Sequence, residues 1–161
     1  MPAAKLLPLC LPLLLLSGCQ GLGLQPDVAI NPRLAAPGDD SSPSIGQRAF
    51  VWIAPALGGQ HQVRLVELAS GLGSPLLGLN RADAQPISVS IDAQGQRLAL
   101  VRRLEGRTEL LLYERSLALL RPLPLLPPGV PAQVAISADG RSLAVQVSRQ
   151  GRWQVDVLPL P

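Results

Sequence analysis

The chain has 161 residues, 47% of them apolar, with 14 basic and 11 acidic side chains and a formal net charge of +3. Aromatic residues make up only 2% and there is one histidine. So mild a charge and so few rings argue against a nucleic-acid surface, which needs a basic stripe and stacking aromatics, and against a sugar-stacking lectin.

Residues 1–18 read as a removable targeting segment. Lys5 supplies a short positive start, and Leu6–Leu16 is an apolar run of signal-peptide length. That run is shorter than the ~20 apolar residues a membrane-spanning helix needs. It ends in Leu16-Ser17-Gly18-Cys19, which resembles the bacterial lipobox. Small residues let the peptidase reach the backbone, and the Cys19 sulfur is the nucleophile that takes the diacylglycerol. Of the two cysteines, Cys10 lies in the discarded run and Cys19 becomes the acylated terminus. The mature domain then holds no thiol for a disulfide, a nucleophile or a metal. Gln20 after the cysteine resembles the outer-membrane sorting pattern of Gram-negative lipoproteins. The expected location is the bacterial cell envelope, membrane-anchored and facing the periplasm, with the outer membrane favoured.

Residues 19–43 read as the lipidated cysteine and a Pro/Gly-rich tether. Pro26, Pro32, Pro37 and Pro43 break regular structure, and the prolines keep the segment semi-extended. Val28-Ala29-Ile30 could form a short edge strand.

From Ser44 to Pro161 the sequence repeats. Pro86-Ile87-Ser88-Val89-Ser90-Ile91 leads to Asp92-Ala93-Gln94-Gly95 and then Leu98-Ala99-Leu100-Val101. Later, Gln133-Val134-Ala135-Ile136 leads to Ser137-Ala138-Asp139-Gly140-Arg141 and then Leu143-Ala144. Ile91 and Ile136 are 45 residues apart (136 − 91), as are Gly106 and Gly151 (151 − 106) and Pro86 and Pro131 (131 − 86). A fixed period of this length marks a repeat architecture, each unit a small sheet that buries its faces on its neighbours. A fainter first copy runs Ser44–Val51, takes a longer turn through Gly58-Gly59, and continues over Val63–Leu68; its offset (95 − 46 = 49) calls for a loop insertion.

On these residues the chain resembles the TolB-like β-propeller repeat, also called the PD40 or WD40-like repeat. Ser137-Ala138-Asp139-Gly140-Arg141-Ser142-Leu143-Ala144 departs from its Ser-Pro-Asp-Gly-Arg pattern only by Ala138 in place of proline. The resemblance implies an all-β fold of about three propeller-type blades, antiparallel sheets forming an incomplete or oligomer-completed propeller, because closed propellers carry four to eight. Apolar runs such as Leu98–Val101 and Leu110–Tyr113 suit strands covered on both faces. Trp153, Val155 and Val157 alternate with Gln154 and Asp156, as in a strand exposed on one side. The third copy stops before an outer fourth strand, which Val28–Ile30 could supply. Leu117–Leu120 could make one helical turn before Pro122, Pro124, Pro127 and Pro128 intervene. The apolar stretch Leu117–Pro131 is expected to pack over blade edges as an outer strand with a Pro-rich turn, as Ser74–Leu79 does in the preceding copy.

Little chemistry is written in the chain. Ser137, Asp139, Gly140 and Arg141, with Gly95, Gly106 and Gly151, are turn residues by type: Gly accepts positive φ and Asp caps turn amides. The acids are too sparse for Ca²⁺, which wants several converging oxygens. His61 has no partners for zinc and no HExxH pattern, and no GxSxG elbow accompanies any serine. No catalytic residue, metal or cofactor is expected. Arg102, Arg103 and Arg107, offset by Glu105 and Glu109, read as solvated strand edges. The expected role is a lipid-anchored, non-catalytic protein-binding or scaffold module with an envelope protein as partner and no nucleic acid; family members include periplasmic partners of envelope-spanning complexes. A structural subunit of a homo-oligomeric β assembly is the alternative, and a degenerate relative of propeller-containing hydrolases, whose catalytic domain is absent here, is a third.

Overall fold

The computed structural model describes residues 23–34 and 38–161. After one short helix, α1 (Asn31–Leu34), come ten strands: β1 (Ser41–Ile45), β2 (Ala49–Pro55), β3 (His61–Glu67), β4 (Ala84–Ile91), β5 (Arg97–Leu104), β6 (Arg107–Glu114), β7 (Leu119–Pro122), β8 (Val130–Ile136), β9 (Ser142–Arg149) and β10 (Arg152–Pro159). They form three antiparallel meanders, β1-β2-β3, β4-β5-β6-β7 and β8-β9-β10, stacked as three blades of a propeller-type fold. Among the described residues no helix is long and apolar enough to cross a membrane.

The stack follows from the period of two in a strand. In β5, Leu98 and Leu100 point to a core shared with Val51, Ile53, Val63 and Leu65 of the first blade. The intervening Ala99 and Val101 point the other way, into a core with Leu143, Val145 and Val147 of the third blade. A strand with apolar residues at every position therefore needs a neighbour on each side, and the middle blade has both.

The three turns joining the first and second strands of each blade are not alike. Ile91 pairs with Leu98 and Ile136 with Leu143, but Ile45 pairs with Phe50. The first blade therefore turns in fewer residues, and regains length in the Ala56–Gln60 connection, since Pro55 pairs with His61. The offset expected to need an insertion is a shortened turn followed by a lengthened one. Gly46 permits the short turn: a Cβ there would stand 2.3 Å from the Asp92 carbonyl oxygen of the next blade. At the opposite end of the blades, Leu104 pairs with Arg107 and Arg149 with Arg152. The two residues between each pair (Glu105-Gly106, Gln150-Gly151) all have positive φ, the type I′ hairpin that matches the twist of its strands.

The N-terminal segment differs from expectation. Residues 28–30 form a turn: the Asp27 carboxylate accepts the Ala29 and Ile30 amides at 2.8 and 3.1 Å and opens α1 in place of an edge strand. Leu34 then packs against Trp52, Ala54, Val66 and Phe50 on the outer face of the first blade. β1 begins at Ser41, inside the stretch read as tether. Leu117 ends a 3₁₀ turn over Arg115–Leu117, and Leu119–Pro122 forms β7 on β6. Leu123 and Leu125 continue into the core between the second and third blades, so this apolar stretch packs over blade edges, and Leu76 and Leu79 of the earlier connector are buried as well. Cys19, with the rest of residues 1–22, lies outside the described residues.

Leu98 is fully buried and Leu57 is 98% exposed. Leu98→Ala should cost about 2–5 kcal/mol and Leu57→Ala less than about 0.5 kcal/mol, read as shifts in the urea midpoint at constant slope.

Candidate functional site

Two sets of interactions tie blade to blade near the innermost strands, β1, β4 and β8, and both are polar. The first is a ladder of serine hydroxyls. Ser42 Oγ accepts the Val89 amide at 2.8 Å and Ser44 Oγ the Ile91 amide at 3.1 Å. One blade further on, Ser88 Oγ accepts the Val134 amide at 3.2 Å and Ser90 Oγ the Ile136 amide at 3.0 Å. Ser42 also donates to the Val89 carbonyl at 3.3 Å, and Ser44 and Ser90 share a contact of 3.4 Å. An inner strand exposes edge N–H groups that its own sheet cannot use, and each buried unpaired one would cost about 1–3 kcal/mol. Hydroxyls two residues apart on the preceding blade meet them at the strand repeat. These serines line a groove of about 520 Å³ along the inner strands, with Gln133 and Ala135 on its third-blade side.

The second set joins the turns. The Gln47 amide donates to the Ala93 carbonyl at 2.9 Å, and the Ala93 amide donates to the Ala138 carbonyl at 3.0 Å. Arg97 of β5 adds a bond from Nη1 to the Gly140 carbonyl at 2.9 Å. The loops of one end of the stack are thus locked to one another across all three blades.

Within the third-blade turn, Asp139 Oδ1 accepts the Ser137 hydroxyl at 2.5 Å and the Arg141 amide at 3.0 Å, while Ser137 Oγ accepts the Ser142 amide at 2.9 Å. The Ser137 hydroxyl, with the Arg141 amide second, holds the Asp139 carboxyl below its ordinary value. Gly140 has φ +70°, and its amide donates back to the Ser137 carbonyl at 2.9 Å. In the middle copy Asp92 occupies the Ser137 position; it is buried, and its Oδ1 accepts the Gln96 and Arg97 amides at 2.8 and 3.2 Å. Gly95 has φ +71° there. The carboxylates of Asp92 and Asp139 are spent on turn amides.

Arg102 departs from the expectation of a solvated edge. It is only 7% exposed and pairs with Glu109 at 3.0 Å, because it falls on the Leu98–Leu100 face of β5, which remains covered there. Arg103 and Arg107 are exposed. His61, at the start of β3, lines a shallow polar cleft of about 350 Å³ with Asp83, Arg103 and Glu105. Among the described residues no three of His, Cys, Asp and Glu gather as a metal would require.

The serine ladder is what sequence reasoning missed. Its signal is present: Ser42 and Ser44 recur 46 residues later (88 − 42, 90 − 44) as Ser88 and Ser90. The pattern continues as Gln133 and Ala135 in the third blade, which have no hydroxyl to offer.

No family model matches the sequence, and no curated protein matches it. Solved structures share the fold. TolB from Acinetobacter baumannii superposes with a TM-score of 0.57 at 16% identity over 73% of this chain and 29% of its own. A putative TolB from Agrobacterium tumefaciens gives 0.55 at 12% identity, over 70% of this chain and 39% of that one. The β-propeller domain of the Trilobed protease from Pyrococcus furiosus, described as having an open velcro topology, gives 0.53 at 13%, over 74% and 38%. The chain thus spans well under half the length of each, and the likeness is one of fold: a TolB-like propeller-type stack of three blades.

Two expected outcomes follow from this geometry. Ser90→Ala leaves the Ile136 amide unpaired and should cost about 1–3 kcal/mol; hydrogen exchange should quicken at Ile136 more than at Val134, which keeps Ser88. Asp139 has a depressed folded-state pKa, so its contribution is present above the unfolded carboxylate value and is lost as pH falls through the folded one. Ser137→Ala removes the largest cause of the shift, and the Asp139 carboxyl resonance in an NMR pH titration should then move its midpoint up toward the ordinary carboxylate value.

Proposed function

We propose that this chain is a lipid-anchored protein of the bacterial cell envelope whose propeller-type stack binds a protein partner and carries out no chemistry of its own. The observation that carries this reading is the locked turn end. The turns at Gln47, Ala93 and Ala138 are bonded in series, and each is braced by its own carboxylate, glycine or short connection. Loops held this way lose little conformational freedom when a partner docks, which favours binding. Support also comes from fold-level likeness to two TolB structures and from the sequence Leu16-Ser17-Gly18-Cys19, which supplies the anchor at Cys19. The exposed side chains of the turn end, Gln47, Arg48, Gln94, Asp139 and Arg141, form the contact face.

The reading is tested in the living bacterium by crosslinking the full chain and recovering it beside a Cys19→Ala form. One envelope protein should be captured reproducibly, its yield should fall severalfold with Cys19→Ala, and Arg141→Glu should reduce capture while leaving the thermal midpoint within about 1–2 °C. Mass spectrometry of the mature N-terminus should show an acylated Cys19. An unmodified Cys19, or capture of nothing but the chain itself, overturns the reading.

A further inference from the structure

The two ends of the stack are finished differently. On the first blade the outer face is closed by the chain's own N-terminal segment: Leu34 lies on it, and Trp52 and Val66 are each only 4% exposed. Among the described residues, the outer face of the third blade has no such cover. The register places three rows on it: Trp153-Ser148-Val130, Val155-Gln146-Gln133 and Val157-Ala144-Ala135. Trp153 is 61% exposed, Val155 69%, Val157 71% and Val130 54%. The same face of the middle blade carries Ala99 and Val101, and there the next blade buries it.

We infer that this face binds the same face of a second copy, forming a two-fold dimer. Three features select that occupant. The grid contains no charged side chain: Arg149 and Asp156, on the same two strands, turn to the opposite face and pair with each other at 2.5 Å. A face without charge meets its own copy without like-charge repulsion or desolvated ions. The rows are also graded in size. A two-fold axis lying between the sheets and across the strands sets the bulky Trp153 row of one copy over the Val157-Ala144-Ala135 row of the other. It brings the Gln146 and Gln133 amides of the central rows together, where each can donate and accept. Finally, with strands about 4.8 Å apart and same-face residues about 6.8 Å apart along them, the grid and its rim offer on the order of 500 Å² per copy. Two copies bury about 1,000 Å², the lower range of specific interfaces.

A head-to-tail ring would need the first-blade face, which Leu34 and its segment occupy. Like-to-like pairing of the third blades leaves that cap in place and closes at two copies.

The test is sedimentation velocity of the full chain in density-matched detergent, over about 1–200 μM, with Trp fluorescence read in parallel. The expected result is a monomer–dimer equilibrium with the Trp emission shifting to the blue as dimer forms. Val155→Arg should weaken association at least tenfold, and Leu57→Arg should leave it unchanged; urea midpoints check that both variants fold. A chain that stays monomeric across the range overturns the inference. So do species larger than a dimer, a dimer that survives Val155→Arg, or one that disappears with Cys19→Ala. These outcomes are independent of partner capture in cells, which uses the turn end and not this face.

Discussion

The constraint on which the structure depends is that β5 is apolar on both faces. Leu98 and Leu100 must be covered from one side, Ala99 and Val101 from the other. A single sheet cannot do this, and a helix on one side would leave the second face wet. Two neighbouring sheets of the same construction satisfy it, so the middle strand of the middle blade sets the stack. Burial alone would allow the sheets to slide, since apolar contact is non-directional. The serine ladder removes that freedom: hydroxyls at Ser42, Ser44, Ser88 and Ser90 meet specific amides of the next inner strand. Apolar area brings the blades together, and directional bonds at the axis side fix their register.

Those bonds also decide what the polar residues are for. A propeller axis lined with hydroxyls and a turn rich in Asp and Ser both invite a ligand reading. Here the Ser42, Ser44, Ser88 and Ser90 hydroxyls accept the next strand's amides, and the Asp92 and Asp139 carboxylates accept amides of their own turns. These bonds leave unengaged the outward side of the locked turns and the open face of the third blade.

Much of this was legible in the sequence. The 45-residue spacing gave the blades, because the same turn chemistry must recur wherever the same strand pair recurs. The unbroken apolar run of β5 announced burial on both faces, and the alternation of β10 announced an exposed side at Trp153, Val155 and Val157. Three things were not legible. A serine in a strand pattern carries no mark of whether its hydroxyl meets water or a neighbouring edge, and only a search for its recurrence 46 residues later would have exposed the ladder. Val28-Ala29-Ile30 has strand-forming residues, but Asp27 before it captures the following amides, and a local bond outweighs the propensity of three residues. Arg102 sits beside Arg103 in sequence yet on the opposite face, so adjacent identical residues have opposite fates: one buried against Glu109, one in water.

The ladder and the end faces are one problem seen twice. Each blade hands hydroxyls to the next, and the third blade, having Gln133 and Ala135 in those places, has none to hand on. A fourth blade docked in the manner of the others would find an acceptor at Gln133 but none at Ala135, leaving one inner-strand amide without the partner that Ile136 has in Ser90. At about 1–3 kcal/mol for a buried unpaired amide, that loss is smaller than the gain from covering such a face, on the order of 10 kcal/mol if about 500 Å² is buried. A sheet that pairs through its open face, without presenting an inner-strand edge, does not incur it. The serine pattern thus breaks at the same blade whose open face carries Trp153, Val155 and Val157, the face on which the inferred face-to-face packing rests.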